Sequence, residues 1–442
     1  MVSKGTKTQR DLIVEKLGTS VDWYAQKLQI GGMTLELIAL SSLVDIPATN
    51  LRLLKSGGEE AHTWEQLWAV IGAVEARGDL ITGLLEGRTL LLMPDGTGGA
   101  WVQSEKRPLN RSINPPVNQN IMVSSKTAFI EDLITNLGLV RNELRSPALK
   151  QSIISVGSVY KKRILMLSMM NAAESAFVYD CEKALRAREG DDFDSLAQLM
   201  RWLGRKPVWN PIPSYARTES PHETANFLKK GRVVLLIEGY PDAIVIPVEL
   251  SDLLISSEDR DYPAIAAAML AAFRILGVLV AIAAPAAYVA LVSINPDVMK
   301  VELIYSIAQS RVGVPYPSIT EALILLFIME MLLEAIIRLP KSIGPAMTMV
   351  GGIILGQAVV DANLVSNLLI IVLAASTIAN FTVIGYNFAL VIRMSKYFML
   401  GFAALFGPLG IVCGFYLLLS LLCTATVMRK PFFPVKPLEQ KE

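Results

Sequence analysis

Residues 275–294, ILGVLVAIAAPAAYVALVSI, form a run of twenty without a single charge. As a helix such a run is about 30 Å long, the thickness of a bilayer's hydrocarbon core. Pro285 sits mid-run, where a partner helix or water can satisfy the carbonyl it frees. Charge then stays sparse from residue 274 to residue 429, whereas residues 1–265 carry charges throughout. Hydrophobic residues make up 52% of the 442, high for a soluble protein. This asymmetry predicts an α+β bilobed soluble N-terminal region followed by an α-helical transmembrane region of about four to six segments.

The bulk numbers exclude several classes. A net charge of +1 gives no electrostatic case for nucleic acid. The opening MVSKGTKTQRDLIVEKLG lacks the apolar core of a secretory signal, so the N-terminal region is expected in the cytoplasm. Three cysteines, two histidines and no Cys-x-x-Cys leave no disulfide framework and no metal centre, and no cofactor is expected.

Within the first 265 residues one small pattern occurs twice. LLEGRTLLLMPDG (84–96) and FLKKGRVVLLIEG (227–239) share a Leu, a Gly-Arg three residues on, and a Leu-Leu after that. Gly87 and Gly231 fit helix C-caps, where a left-handed backbone suits glycine. The apolar run after each reads as a strand, then a turn, then a return strand. Two copies predict two α/β lobes, at 1–106 and 121–265, joined by a linker at 107–120 rich in Pro and Asn. A further irregular stretch at 205–221 reads as a surface loop. Paired lobes build either a ligand cleft or a rigid scaffold. Arg88 and Arg232 are either an anion-binding pair or solvated, ion-paired strand starts. LLMPDGTGGAW lacks GxxxxGK[ST] and sits between strands, so it reads as a hairpin rather than a phosphate loop.

The transmembrane region is set at 266–428, with a basic tail at 429–442. Residues 318–339 carry Glu321, Glu330, Glu334 and Arg338, the last three spaced by four on one helical face. These are intramembrane charges lining a vestibule, or the wet face of an interfacial helix. Gly352-x-x-x-Gly356 permits close helix packing. Along 364–392 and just before it, Asn363, Asn367, Ala374, Thr377 and Asn380 recur near one face. That stripe either lines an ion path or bonds neighbouring helices. Residues 398–427, broken by Gly407-Pro408-Leu409-Gly410, form one kinked span or a tight hairpin. The basic tail and a cytoplasmic N-terminal region call for an even number of crossings.

Several segments together resemble the A subunit of the GerA-type spore germinant receptors, a family that includes a stage V sporulation protein paralogue. They are RSINPP (111–116), FIEDLITNLGLVRNELRSPALK (129–150, with Thr135, Asn136, Leu139 and Arg141), and TESPHETANFLKKGRVVLLIEGYPDAIVIPV (218–248). PYPSITEAL, LLEAIIRLP, VGGIILGQAVVDANLVS and the terminal RKPFFPV follow in family order. The chain departs from the family pattern at MVSSKTAF (122–129), at TESPH, at Leu333 where the family has Arg, and at 382–385. The resemblance implies a non-enzymatic, multi-pass subunit of the inner spore membrane. It implies work with a multispanning B-type subunit and a C-type lipoprotein subunit, and oligomerisation into a nutrient-gated channel for monovalent cations. The residues leave two alternatives open: a secondary transporter, and a non-conducting membrane scaffold of the receptor complex.

Overall fold

The structure, a computed structural model, describes residues 8–56, 63–76, 78–95, 98–108, 127–204, 211–255, 259, 262–338, 344–427 and 430–433. Most of the 107–120 linker, the start of the 205–221 loop and most of the 429–442 tail lie outside them. The chain divides into two compact units, residues 1–206 with 214–247, and residues 207–213 with 248–442.

The first unit is a duplicated α+β fold. Its first half runs α1 (Gln9–Leu17), β1 (Trp23–Ile30), β2 (Met33–Leu40), α2 (Ile46–Ser56), α3 (Trp64–Val70), β3 (Val74–Glu75), α4 (Leu80–Leu85), β4 (Thr89–Leu92) and β5 (Gly99–Val102). Its second half repeats that order of elements. It runs α5 (Leu133–Glu143), β6 (Leu149–Val156), β7 (Lys162–Met169), α6 (Ser175–Arg186), α7 (Leu196–Gly204), β8 (Ala216–Thr218), α8 (Pro221–Lys229), β9 (Val233–Ile237) and β10 (Ala243–Ile246). The two five-stranded sheets have matching strand orders, β1-β2-β4-β5-β3 and β6-β7-β9-β10-β8. Every neighbouring pair in both is antiparallel.

The repeated Gly-Arg marks the same joint in each half. Side chains of Asp79 and Ser220 cap the N-termini of α4 and α8. Gly87 (φ +83°) and Gly231 (φ +80°) end them in the left-handed region. The next amide closes each turn: Arg88 N–H donates to the Gly83 carbonyl, and Arg232 N–H to that of Phe227, both at 3.1 Å. The strands that follow are wholly buried, Leu90–Leu92 in one sheet and Val233–Ile237 in the other. Each apolar side chain so buried contributes roughly 1.5–3 kcal/mol against exposure.

The second unit is helical. It runs α9 (Leu250–Leu254), α10 (Ala264–Val289, continued by a π turn to Ile294), α11 (Val301–Ser310), α12 (Ser318–Arg338), α13 (Gly344–Asp361), α14 (Asn367–Asn380) and α15 (Tyr386–Thr424). Among the described residues, two stretches are long and apolar enough to cross a membrane, Ala264–Ile294 and Asn387–Thr424. The apolar stretch 364–392 is not one helix: α14 stops at Asn380, and α15 starts after Gly385 at φ +87°.

α15 reverses at Gly407 (φ +61°, ψ −141°), just before Pro408. A β-carbon on Gly410 would overlap the Phe402 carbonyl, and one on Gly414 would strike the Met399 sulfur. In a continuous helix, residues eight apart are about 12 Å apart. The element is therefore a helical hairpin, and the tight-hairpin alternative is the one the chain adopts. The spacing Gly410-x-x-x-Gly414 lets its arms meet.

Contacts define two ends of this unit. At the α9 end Arg274 donates to the Leu254 carbonyl at 3.1 Å, Leu250 N–H donates to the Phe432 carbonyl at 3.0 Å, and Gly385 faces Leu253. At the far end Ser293 bonds Ser318, Gly407 abuts Ile294 and Asn295, and Gly313 faces Asn363. α10, α12, α14 and both arms of α15 thus run between the same two ends.

Candidate functional site

Among the described residues, two groups of charged and polar side chains lie inside this apolar unit beyond the Arg274–Asp259 pair at its α9 end. The first is at the far end. Glu321, in the first turn of α12, is wholly buried, and its Oε1 accepts the Ser366 N–H at the start of α14 at 2.5 Å. Ser366 caps α14 with its side chain and bonds the Tyr288 hydroxyl of α10 at 2.9 Å. Arg311 Nε is 3.6 Å from Glu321 Oε2, an ion pair without a hydrogen bond. Arg311 Nη2 donates instead to the Tyr316 carbonyl at 3.0 Å.

The second group is deeper. Glu330 of α12 pairs with Arg393 of α15, with Arg393 Nε donating at 3.2 Å and a second, shorter contact through Nη2. Lys396, one turn further along α15, is buried. Counting helix rise from the far end, Glu330, Arg393 and Lys396 lie about 16–21 Å deep, near the middle of a bilayer-sized span. Glu334 pairs with Arg338 at 2.7 Å in the favourable i, i+4 order, on an open face.

The uncharged stripe divides. Thr377 and Asn380 are buried, Ala374 is half-buried, and Asn363 and Asn367 are exposed. Thr377 donates to the Leu373 carbonyl of its own helix at 2.8 Å, and its neighbour Ser376 donates to Ala281 of α10 at 2.8 Å. Asn363 sits in the turn between α13 and α14 at φ +49°, outside both helices. Asn380 Oδ1 is buried without a hydrogen bond. Gly352 and Gly356 of α13 have nothing within 4 Å of where a β-carbon would stand.

In the first unit, Arg88 pairs with Glu86 at the surface at 3.0 Å, while Arg232 is buried. The segment around Thr135 forms a joint between lobes. Asp132 caps α5 by accepting from the Thr135 amide at 2.9 Å and hydroxyl at 2.5 Å. Burial pushes the Asp132 carboxyl up, but the Thr135 donors and the Arg107 guanidinium outweigh it and hold it below the ordinary aspartate range. Asn136 clasps Ile130 through both its amide and its carbonyl. Arg141 crosses to Asp22 of the first lobe.

Sequence reasoning passed over Arg393 and Lys396, which stand between two apolar runs. It also passed over Tyr288, Ser366 and Asp22. Glu330 and Glu334 share one helical face with a single cation, Arg338, which pairs with Glu334; that surplus carboxylate was the signal that pointed to a cation elsewhere.

Two α+β lobes joined to helices that are long and apolar enough to cross a membrane, with charges inside, are the build of a membrane-associated protein with a large polar module. The family model described as Bacillus/Clostridium GerA spore germination protein matches residues 11–442. The chain belongs to that family. It is 33% identical over 331 residues to spore germination protein GerIA of Bacillus cereus, covering 75% of this chain and 50% of that one. It is 28% identical over 380 residues to spore germination protein A1 of Bacillus subtilis (strain 168), covering 85% and 78%. The chain therefore spans half the length of the first of these relatives. The crystal structure of the N-terminal domain of the A subunit of the Bacillus megaterium spore germinant receptor GerK3 aligns at a TM-score of 0.40 with 23% identity, over 53% of this chain and 92% of that one.

Proposed function

We propose that the chain is a non-enzymatic membrane subunit of a spore germinant receptor that oligomerises into a nutrient-gated channel for monovalent cations. The carrying observation is the Glu330–Arg393 pair with Lys396 held at mid-depth in an apolar helical unit. Ionisable groups there are costly, and a bundle that keeps them inside supports a functional role such as an ion path. Family membership supports the role in germination. B-type and C-type receptor subunits are the expected partners, within the lipid of the inner spore membrane.

Six passages between the two ends, α10, α12, α13, α14 and the two arms of α15, give the even number that returns the chain to its starting side. The α9 end carries Arg274, Arg338 and Lys430, the far end Lys300 and Arg311. This bias supports a cytoplasmic α9 end and, by chain continuity, a cytoplasmic N-terminal module. The open Gly352-x-x-x-Gly356 face of α13 supports association, since the equally spaced Gly410 and Gly414 are already filled by their own chain.

The test is cation efflux from potassium-loaded vesicles containing the full chain with its partner subunits. Nutrient-dependent, passive efflux is expected, and Asn367→Leu should reduce it without preventing assembly. Unchanged efflux in that variant removes Asn367 from the path. Stoichiometric substrate counterflow would replace the channel with a transporter, and absence of any flux would leave a scaffold.

A further inference from the structure

The far-end group has a chemistry of its own. Glu321 uses one carboxylate oxygen to hold the Ser366 amide, and its other oxygen, Oε2, is buried without a hydrogen bond. The Arg311 Nε that faces it at 3.6 Å is also buried without one, because Tyr316 draws the guanidinium aside. A buried carboxylate and guanidinium normally close to about 2.8 Å, where charge and hydrogen bond reinforce each other. Here the cation balances the charge without filling the coordination. Beside the carboxylate, the Tyr288 and Ser366 hydroxyls are bonded to each other at 2.9 Å, and both residues are buried.

We propose that Glu321, with the Tyr288 and Ser366 hydroxyls, is a binding site for a monovalent cation, and that Arg311 is the tethered cation that neutralises Glu321 when no ion is bound. All donors are hard oxygens, which select alkali ions over soft metals. One carboxylate with neutral hydroxyls matches a single positive charge. A divalent ion would call for more carboxylates, and among the described residues there is no cluster of three His, Cys, Asp or Glu. The Arg311 side chain keeps 22% of its surface, so it has a route outward that the wholly buried Glu321 lacks. Ion entry and Arg311 withdrawal are coupled, since either charge left alone in this interior is costly. Because Glu321 also holds the first turn of α14, occupancy is felt at Asn367.

The site's place in conduction rests on the channel reading above, but the binding itself does not. Equilibrium dialysis of the full chain in detergent, with radiolabelled rubidium as the probe and choline as the background cation, separates the two. Wild type should bind rubidium saturably, and Arg311→Gln should bind it about tenfold more tightly once the competing charge is gone. Glu321→Gln should abolish the saturable component. Tyr288→Phe, which removes one oxygen and little volume, should weaken it. Equal binding by wild type and Glu321→Gln overturns the proposal, whether or not Arg311→Gln folds. Binding without efflux sinks only the channel reading, and efflux without binding sinks only this site.

Discussion

Arg141 and Asp22 form a two-bond ion pair between the lobes, with Nε to Oδ2 at 2.7 Å and Nη2 to Oδ1 at 2.8 Å. Their side chains are 1% and 0% exposed. Ser42 adds a third bond to Asp22 at 2.5 Å, and Val21 N–H reaches across to Gln151 at 3.1 Å. The final Arg of the Thr-Asn-x-x-Leu-x-Arg core is therefore a fastener that fixes one copy of the duplicated fold against the other.

Removing one partner leaves the other charge buried. Arg141→Ala is expected to cost about 3–5 kcal/mol, and the paired replacement Arg141→Met with Asp22→Leu markedly less. Urea unfolding of the detergent-solubilised chain, followed by tryptophan fluorescence, measures both. Equal losses for the single and double variants would remove the charge-burial explanation.

The two C-cap glycines share a backbone conformation but not their surroundings. A β-carbon at Gly87 meets Leu43 at 3.4 Å, whereas one at Gly231 overlaps the Ala172 carbonyl. Gly87→Ala should cost the left-handed penalty alone, about 1–2 kcal/mol. Gly231→Ala should cost clearly more, because backbone must also move. The same unfolding measurement ranks them, and a reversed order contradicts the packing at Ala172.

Local signals were legible and distant ones were not. Helix end, glycine and strand stand within a dozen residues at Gly87 and at Gly231, so the duplicated joint could be read directly. The hairpins β1–β2 and β6–β7 escaped notice; in β1 the mid-strand Ala25, Gln26 and Lys27 are all exposed and blur the alternation. The two GxxxG pairs look alike in sequence, and only the reversal at Gly407 decides that Gly410 and Gly414 are filled within the chain. Glu330 and Arg393 stand 63 residues apart, and no periodicity links them. The Asn-Thr stripe follows from spacing alone, whereas packing buries Thr377 and Asn380 and leaves Asn367 exposed.

Acid should weaken the first unit through its helix caps. Asp132 is held below its ordinary value, with the Thr135 and Arg107 contacts outweighing burial. Asp79 is held below too, chiefly by the Thr82 hydroxyl and the Ile81 amide. A depressed carboxylate stabilises above its unfolded pKa of about 3.9, and that contribution is lost as pH falls through the folded value. Melting temperature should therefore drop from pH 5 to pH 3. Asp132→Asn, which keeps a cap but no charge, should show a smaller drop across that window. An identical pH profile for the variant would exclude Asp132 as a contributor.

The glycines of α13 and α15 should separate folding from association. Gly410→Leu blocks the approach of the hairpin arms and should lower the melting temperature of the single chain. Gly352→Leu meets open space in that chain and should leave melting unchanged while reducing the assembled mass seen by light scattering. Loss of monomer stability from Gly352→Leu would show that its face is already occupied.

The mid-depth pair offers the most direct reading of charge inside the helical unit. Arg393→Met strands Glu330, and Lys396 is the next cation along α15. Arg393 and Glu330 side chains keep 16% and 24% of their surface. The loss is therefore set at roughly 1–3 kcal/mol, below that of a fully buried pair. Adding Glu330→Met should recover most of it, since two apolar side chains suit the surrounding helices. If the pair lies on an ion path, the double variant should melt like wild type yet conduct poorly. Thermal melting and vesicle efflux on the same preparations distinguish a packing role, in which the two readouts move together, from a conducting one, in which they part.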